Sequence, residues 1–242
     1  MIPSPDPVPD APPPPAPSLE PRQRWRVTFG RAAATGDEVP SGREYIGRWE
    51  ETLLASGLPV LVLSSERPRI ALGAPLPTGC AADAELLEFW LTALRPAWAV
   101  REGIESGLPA GHRLASLESI WLGAPALSGQ IAAADYEVRL DGDVGAAELQ
   151  AAAKRTLDAT TLPRDRLKGG VVKTYDLRPL IVSLEAGGAE DAGVKMRTRI
   201  HPELGTGRPD EVVAALADEV GRPLPIVSTV RRKLLLADEL RD

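Results

Sequence analysis

Lys195, Arg197 and Arg199 occupy every second position of residues 194–200, and Val194, Met196, Thr198 and Ile200 fill the places between. An extended chain sends successive side chains to opposite faces, so this spacing lines three cations along one side of a strand. A row of that kind can hold phosphates or an acidic protein surface. Arg231 and Arg232, followed by Lys233, stand in a second such segment. Lys168 and Lys173 flank a glycine pair, and residues 164–178 around it hold five basic and two acidic side chains. Lys195, Arg197, Arg199, Arg231, Arg232, Lys168 and Lys173 are therefore the candidate surface for RNA or a protein partner. The aromatic side chains on which bases stack are missing from the stripe, and only Tyr175 lies close in sequence.

Other chemistry is thinly supplied. The 242 residues include two histidines and one cysteine. His112 follows Gly111 and His201 precedes Pro202, and neither has a histidine or carboxylate three or four positions away, as helical metal sites commonly have. Surface or capping roles are expected for both. Cys80 alone excludes a disulfide within the chain and a thiolate cluster from its own cysteines, and with no cation beside it a packing role is expected. The acids Glu50 and Glu51, and Glu85 and Glu88, are expected on solvated faces. Gly169-Gly170 and Gly187-Gly188 lack the spacing of a phosphate loop and suit turns. No catalytic residue, metal or cofactor is expected.

Composition narrows the classes further. A net charge of −6 and a pI near 5.2 argue against binding nucleic acid through overall charge, although all five lysines lie beyond residue 150. Hydrophobic residues at 43% and charged residues at 26% are ordinary globular material. Charges or prolines break every long apolar run, so no membrane span is expected, and the opening residues carry no export signal. The cytoplasm is the expected location.

Local pattern gives the elements that must position these side chains. Residues 24–29 alternate polar and apolar, which predicts a half-buried strand with Trp25, Val27 and Phe29 inward. Ser41 with Glu44 makes a capping box, and Tyr45, Ile46, Trp49, Leu53 and Leu54 recur at helical spacing until Gly57. Residues 58–63, 69–72 and 85–91 are expected to be extended, a short helix follows Pro96 to about Gly107, and residues 113–122 are extended. The order β-α-β-β-α-β is that of a ferredoxin-like sandwich. It recurs: strand 136–140, a helix capped by Asp143 running to about residue 158, and extended segments 171–175, 180–185 and 194–200. A helix opened by Pro209, Asp210 and Glu211 and a strand over 225–236 complete it. Ten of the 24 prolines fall in the first 21 residues, which predicts a disordered, solubilising tail. The expected fold class is α+β, with two ferredoxin-like (β-α-β-β-α-β) halves, residues 22–122 and 135–238, behind a disordered proline-rich N-terminal tail, residues 1–21.

Several runs carry a likeness beyond pattern. Residues 24–29, Ala55-Ser56-Gly57-Leu58-Pro59, Ala74-Pro75-Leu76-Pro77-Thr78-Gly79, Tyr175-Asp176-Leu177-Arg178-Pro179-Leu180 and Gly207-Arg208-Pro209-Asp210-Glu211-Val212 resemble the bacterial radical SAM-linked protein family. The resemblance spans residues 22–238. It implies association with a radical SAM protein and names no reaction. Members usually carry Ser-His-Leu-Asp at the start of the first helix, where this chain has Ser41-Gly42-Arg43-Glu44, so Gly42 stands at the histidine position. Their Gln-Gly-Phe-Asn-Pro-His-Pro stretch is here reduced to Ser64-Ser65-Glu66-Arg67-Pro68.

Together these readings lead to the expectation of a non-catalytic accessory protein that binds a radical SAM partner, and RNA such as tRNA, through a basic sheet face. The competing expectation is an RNA-processing or RNA-modifying enzyme of double ferredoxin-like fold. Loss of the histidine at Gly42 weighs against it.

Overall fold

Trp25, Val27 and Phe29 alternate along β1 (Gln23–Arg31) and all three are buried, as their spacing predicts. They meet Trp49 and Leu53 from α1 (Gly42–Ala55), Val100 and Ile104 from α2 (Ala97–Glu105), and Leu87, Phe89 and Leu91 from β3 (Ala81–Leu91). α1 starts on its capping box: the Glu44 amide donates to Ser41 Oγ and the Ser41 amide donates to the Glu44 carboxylate. Two amides that helix geometry leaves without partners are thereby satisfied. The computed structural model describes residues 20–34, 40–141, 144–168, 170–187 and 193–240. Most of the tail expected over residues 1–21, and Asp143, lie outside these.

The remaining strands are β2 (Ile70–Leu72), β4 (His112–Ile120), β5 (Ile131–Leu140), β8 (Ile181–Ala186), β9 (Gly193–His201), β10 (Gly205–Thr206) and β11 (Ile226–Leu236). They join β1 and β3 in one mixed sheet ordered β10-β9-β5-β11-β3-β1-β4, with β2 also on β3 and β8 also on β9. Every described pairing in it is antiparallel except that of β11 with β3, which is parallel through Val230 with Ala81 and Arg231 with Ala82. A second core forms where Leu149, Ala152 and Ala153 of α4 (Ala146–Asp158) and Val212, Val213 and Leu216 of α5 (Pro209–Val220) pack on Tyr136, Val138, Val194 and Met196. α3 (Leu127–Gln130) is a single turn leading into β5. The chain is thus α+β, built on a large mixed sheet, and none of its described helices is long and apolar enough to cross a membrane.

Three local expectations change. Residues 58–63 do not form a strand; they contribute isolated bridges, Val60 to Leu91 and Val62 to Pro68. Pro59 has no amide to donate, and the edge of β3 that these residues would need is shared with β2 and β11. α4 starts after Gly145, without a side-chain cap. A hairpin of its own, β6 (Pro163–Lys168) with β7 (Val171–Asp176), stands beside the sheet, and only its second strand is expected from pattern. The first strand, Pro-Arg-Asp-Arg-Leu-Lys, has no apolar alternation to betray it.

Glu85 and Glu88 overturn a fourth expectation, because neither is solvated. Glu88 is fully buried and accepts from Arg24 Nε at 2.9 Å and Arg26 Nε at 2.9 Å. Arg24 also donates to the carbonyls of Ala124 and Pro125, and its guanidinium lies 5.1 Å from the Trp90 ring. The linker after β4 therefore covers the back of β1 and β3, so both faces of these strands are buried there. Glu85 binds Arg231 Nε at 2.7 Å, and the same guanidinium donates to the carbonyls of Ala74 and Pro75. Removing one partner of such a pair strands a buried charge, which typically costs ~3–5 kcal/mol. Arg231→Met is accordingly expected to lower the unfolding free energy in urea by about that much. Arg231→Met with Glu85→Leu should regain part of the loss, and a double variant no more stable than the single one would contradict this account.

Candidate functional site

On β9, Val194, Met196 and Thr198 are buried against the helices, and Lys195, Arg197 and Arg199 point away from them. The stripe thus exists as spaced, on the sheet face opposite α4 and α5. Its surroundings are less positive than the stripe alone. β5 pairs with β9 so that Asp135 lies opposite Arg197 and Glu137 opposite Lys195. Asp135 takes a forked pair of hydrogen bonds from Arg197, at 2.7 and 3.0 Å. Arg232 bridges Asp83 and Glu137, Arg113 reaches Asp83 at 2.9 Å, and Lys233 binds Glu239. Lys195 and Arg199 are exposed, and no ion pair to either is found among the described residues.

The other four candidate cations scatter. Arg231 is wholly buried in its bonds to Glu85, Ala74 and Pro75, so it offers nothing to a partner. Arg232 shares the open face but is tied to two acids. Lys173 is exposed on β7, in a hairpin that docks on α5 through Tyr175 to Glu211 and Arg164 to Asp218, away from the open face. The side chain of Lys168 lies outside the described residues. A bulge between Arg231 and Lys233 turns two of three consecutive cations outward and leaves one inside.

The polar interior gathers at the junction of β11 with β3. Arg231 pins the loop of residues 73–79, and this loop separates two cavities on the helix side of the sheet. One, about 440 Å³, is lined by Phe29, Arg31, Gly42, Tyr45 and Glu85 among others. The other, about 500 Å³, is lined by Tyr136, Arg166, Ile200, Thr206 and Arg208 among others. Runs that are far apart in sequence, at the start of α1, in the 73–79 loop and before α5, meet here. A hydrophobic pattern cannot show this meeting, since it depends on the long-range pairing of β11. A Cβ added at Gly42 meets nothing within 4 Å, so the cavity has room for a side chain there.

His112 is not a surface residue. It is half-buried against Phe29, Tyr45 and Trp49, with ring centroids 5.6 to 5.8 Å apart, and Nε2 lies 3.2 Å from the Tyr45 hydroxyl. His201 accepts the amides of Glu203 and Leu204 on Nδ1, both at 3.2 Å, and so caps a turn. Cys80 is buried, and burial pushes its thiol up, away from reactive thiolate. Among the described residues no group of three or more His, Cys, Asp or Glu side chains is placed to hold a metal ion.

A family model described as "Uncharacterized protein conserved in bacteria (DUF2344)" matches residues 65–213. No curated protein matches the chain. Among solved structures, it is similar to an archaeal box H/ACA sRNP Nop10–Cbf5 complex, at 12% identity over 87% of this chain and 47% of that one, with a TM-score of 0.43. A Cbf5–Nop10–Gar1 complex matches at 8% identity over 87% and 48%, with a TM-score of 0.47. An unknown protein from Galdieria sulphuraria matches at 14% identity over 84% and 96%, with a TM-score of 0.27. The chain spans about half the length of the first two.

Burial holds the His112 imidazole below its ordinary 6.5, and Arg31 and Arg48 push the same way against the carbonyl of Ala110. The folded state therefore favours the neutral ring, while the unfolded chain takes up a proton at higher pH. Stability from this residue is complete above about pH 6.5 and is lost as pH falls below it. Urea midpoints at about pH 7.5 and pH 5 should differ less in His112→Gln than in the unaltered protein. Gly42→His should fold with a urea midpoint close to the original, because the side chain enters open space.

Proposed function

We propose that this chain, which belongs to the family described as "Uncharacterized protein conserved in bacteria (DUF2344)", is an accessory protein that docks a macromolecular partner on the open face of its sheet. The carrying observation is the charge pattern of that face. Cations and acids alternate across β9, β5 and β11, and cross-strand pairs hold Arg197 and Arg232 in place. Fixed, alternating charge favours a protein surface of complementary pattern over a uniform polyanion, because each misplaced like charge opposes binding. A radical SAM protein is the partner we propose, on the resemblance of the quoted runs to that linked family.

The strand orders support two ferredoxin-like units as the frame. β4-β1-β3-β2 encloses α1 and α2, and β11-β5-β9-β8 encloses α4 and α5, each in the sequence order strand, helix, two strands, helix, strand. The hairpin β6–β7 is an insertion in the second unit. Residues 22–122 and 135–238 remain the proposed division.

RNA is the second reading, and one observation favours it: Lys195 and Arg199 are exposed at either side of Arg197 and neither forms an ion pair among the described residues, although Glu137 and Glu185 stand opposite Lys195 on the neighbouring strands. An RNA-processing activity on this frame is carried by no such observation.

Chemical cross-linking of the full chain in its native cells should join Lys195 or Lys233 to a radical SAM protein, and Lys195→Glu with Arg199→Glu should cut that yield about tenfold. Unchanged yield in the variant, or recovery of partners without a radical SAM protein, counts against the docking reading. For RNA, a gel shift with tRNA should weaken steeply with salt and vanish on reversing Lys195, Arg197 and Arg199 to Glu. Absence of any shift at low salt ends that reading.

A further inference from the structure

We propose that the cavity between the 73–79 loop and the start of α5 binds a small phosphorylated ring compound of the size of a nucleoside monophosphate. It lies on the helix side of the sheet, opposite Lys195 and Arg199, so it is independent of the docking reading. Its volume of about 500 Å³ falls within the range of small-molecule sites, and it lies against the second core, where the 73–79 loop meets residues 206–208.

Two guanidinium groups line it from separate elements, Arg166 from β6 and Arg208 from the residue before α5. Arg208 reaches one carboxylate, the half-exposed Asp210, at 3.3 Å. Arg166 has no ion-pair partner among the described residues. The next acid, Glu211, accepts from the Tyr175 hydroxyl and is no part of the lining. Two planar forks with this much donor capacity to spare suit a phosphate, which accepts from each of them in pairs. The other walls differ in kind. Ile200 and the proline-bounded Leu76 give an apolar surface, the buried Tyr136 borders it, and Thr206 supplies a hydroxyl. A bare phosphate would leave these unused, whereas a ring with sugar hydroxyls covers them.

Isothermal titration of the full chain with the four nucleoside 5′-monophosphates tests the site. At least one should bind saturably, with the matching nucleoside about tenfold or more weaker, since only the phosphate meets both arginines. Arg166→Gln and Arg208→Gln should each weaken binding about tenfold or more while melting at the original temperature, both side chains being at the surface. Lys195→Glu with Arg199→Glu should bind the nucleotide as the unaltered protein does, which separates this site from the sheet face. Silence from all four probes up to about 10 mM overturns the proposal, as does a nucleoside that binds as tightly as its phosphate. Unchanged affinity in both arginine variants overturns it equally.

Discussion

The guanidinium of Arg231 is wholly buried and donates to Glu85 on β3 and to the carbonyls of Ala74 and Pro75 in the loop ahead of that strand. β11 and β3 touch through only two ladder pairs, so the sheet's continuity rests on this charge finding its acceptors. A slip by one residue would bury the cation without a carboxylate and turn an outward cation in. The pair thereby fixes register at the one parallel contact among the described strands, and with it the position of the 73–79 loop and of both cavities beside it. Ordinary apolar packing at this seam would tolerate small shifts that a buried charge does not.

Local chemistry in the sequence was readable where it is self-contained. Ser41 and Glu44 satisfy each other within one turn, and Trp25, Val27 and Phe29 need only a strand with one apolar side, so both readings hold. What could not be read depends on partners far along the chain. Glu85 and Glu88 look like solvated acids because their cations, Arg231, Arg24 and Arg26, are 146, 64 and 62 residues away. Arg231, Arg232 and Lys233 are indistinguishable as a run, and only the bulge at β11 decides which one goes inside. β6 escaped notice because a hairpin clamped by Tyr175 to Glu211 and Arg164 to Asp218 needs no apolar face of its own. The candidate cavities were invisible for the same reason: their walls come from segments joined only by tertiary pairing.

The open face illustrates how a count of cations overstates a field. Three basic residues at period two suggest a positive rail, yet the neighbouring strand supplies Asp135 and Glu137 at the matching register. An exposed ion pair of this type adds little to stability, commonly less than about 1 kcal/mol, but it orders long side chains that would otherwise sweep. Specificity rather than strength is what such a surface offers a partner, and the net charge of −6 is in keeping with that.

The parallel seam also sets a clock. Glu85 waits for a cation 146 residues downstream, so at any moment during synthesis before β11 emerges, β3 presents a half-occupied edge and an unmatched carboxylate. Closing a loop of that length costs more than the shorter-range pairings of β1 with β3 and β4, which favours completion of the sheet from its flanks inward. The nascent chain passes through a stage in which its middle is its least finished part, and the cavities at that middle come into being only with the final strand pairing.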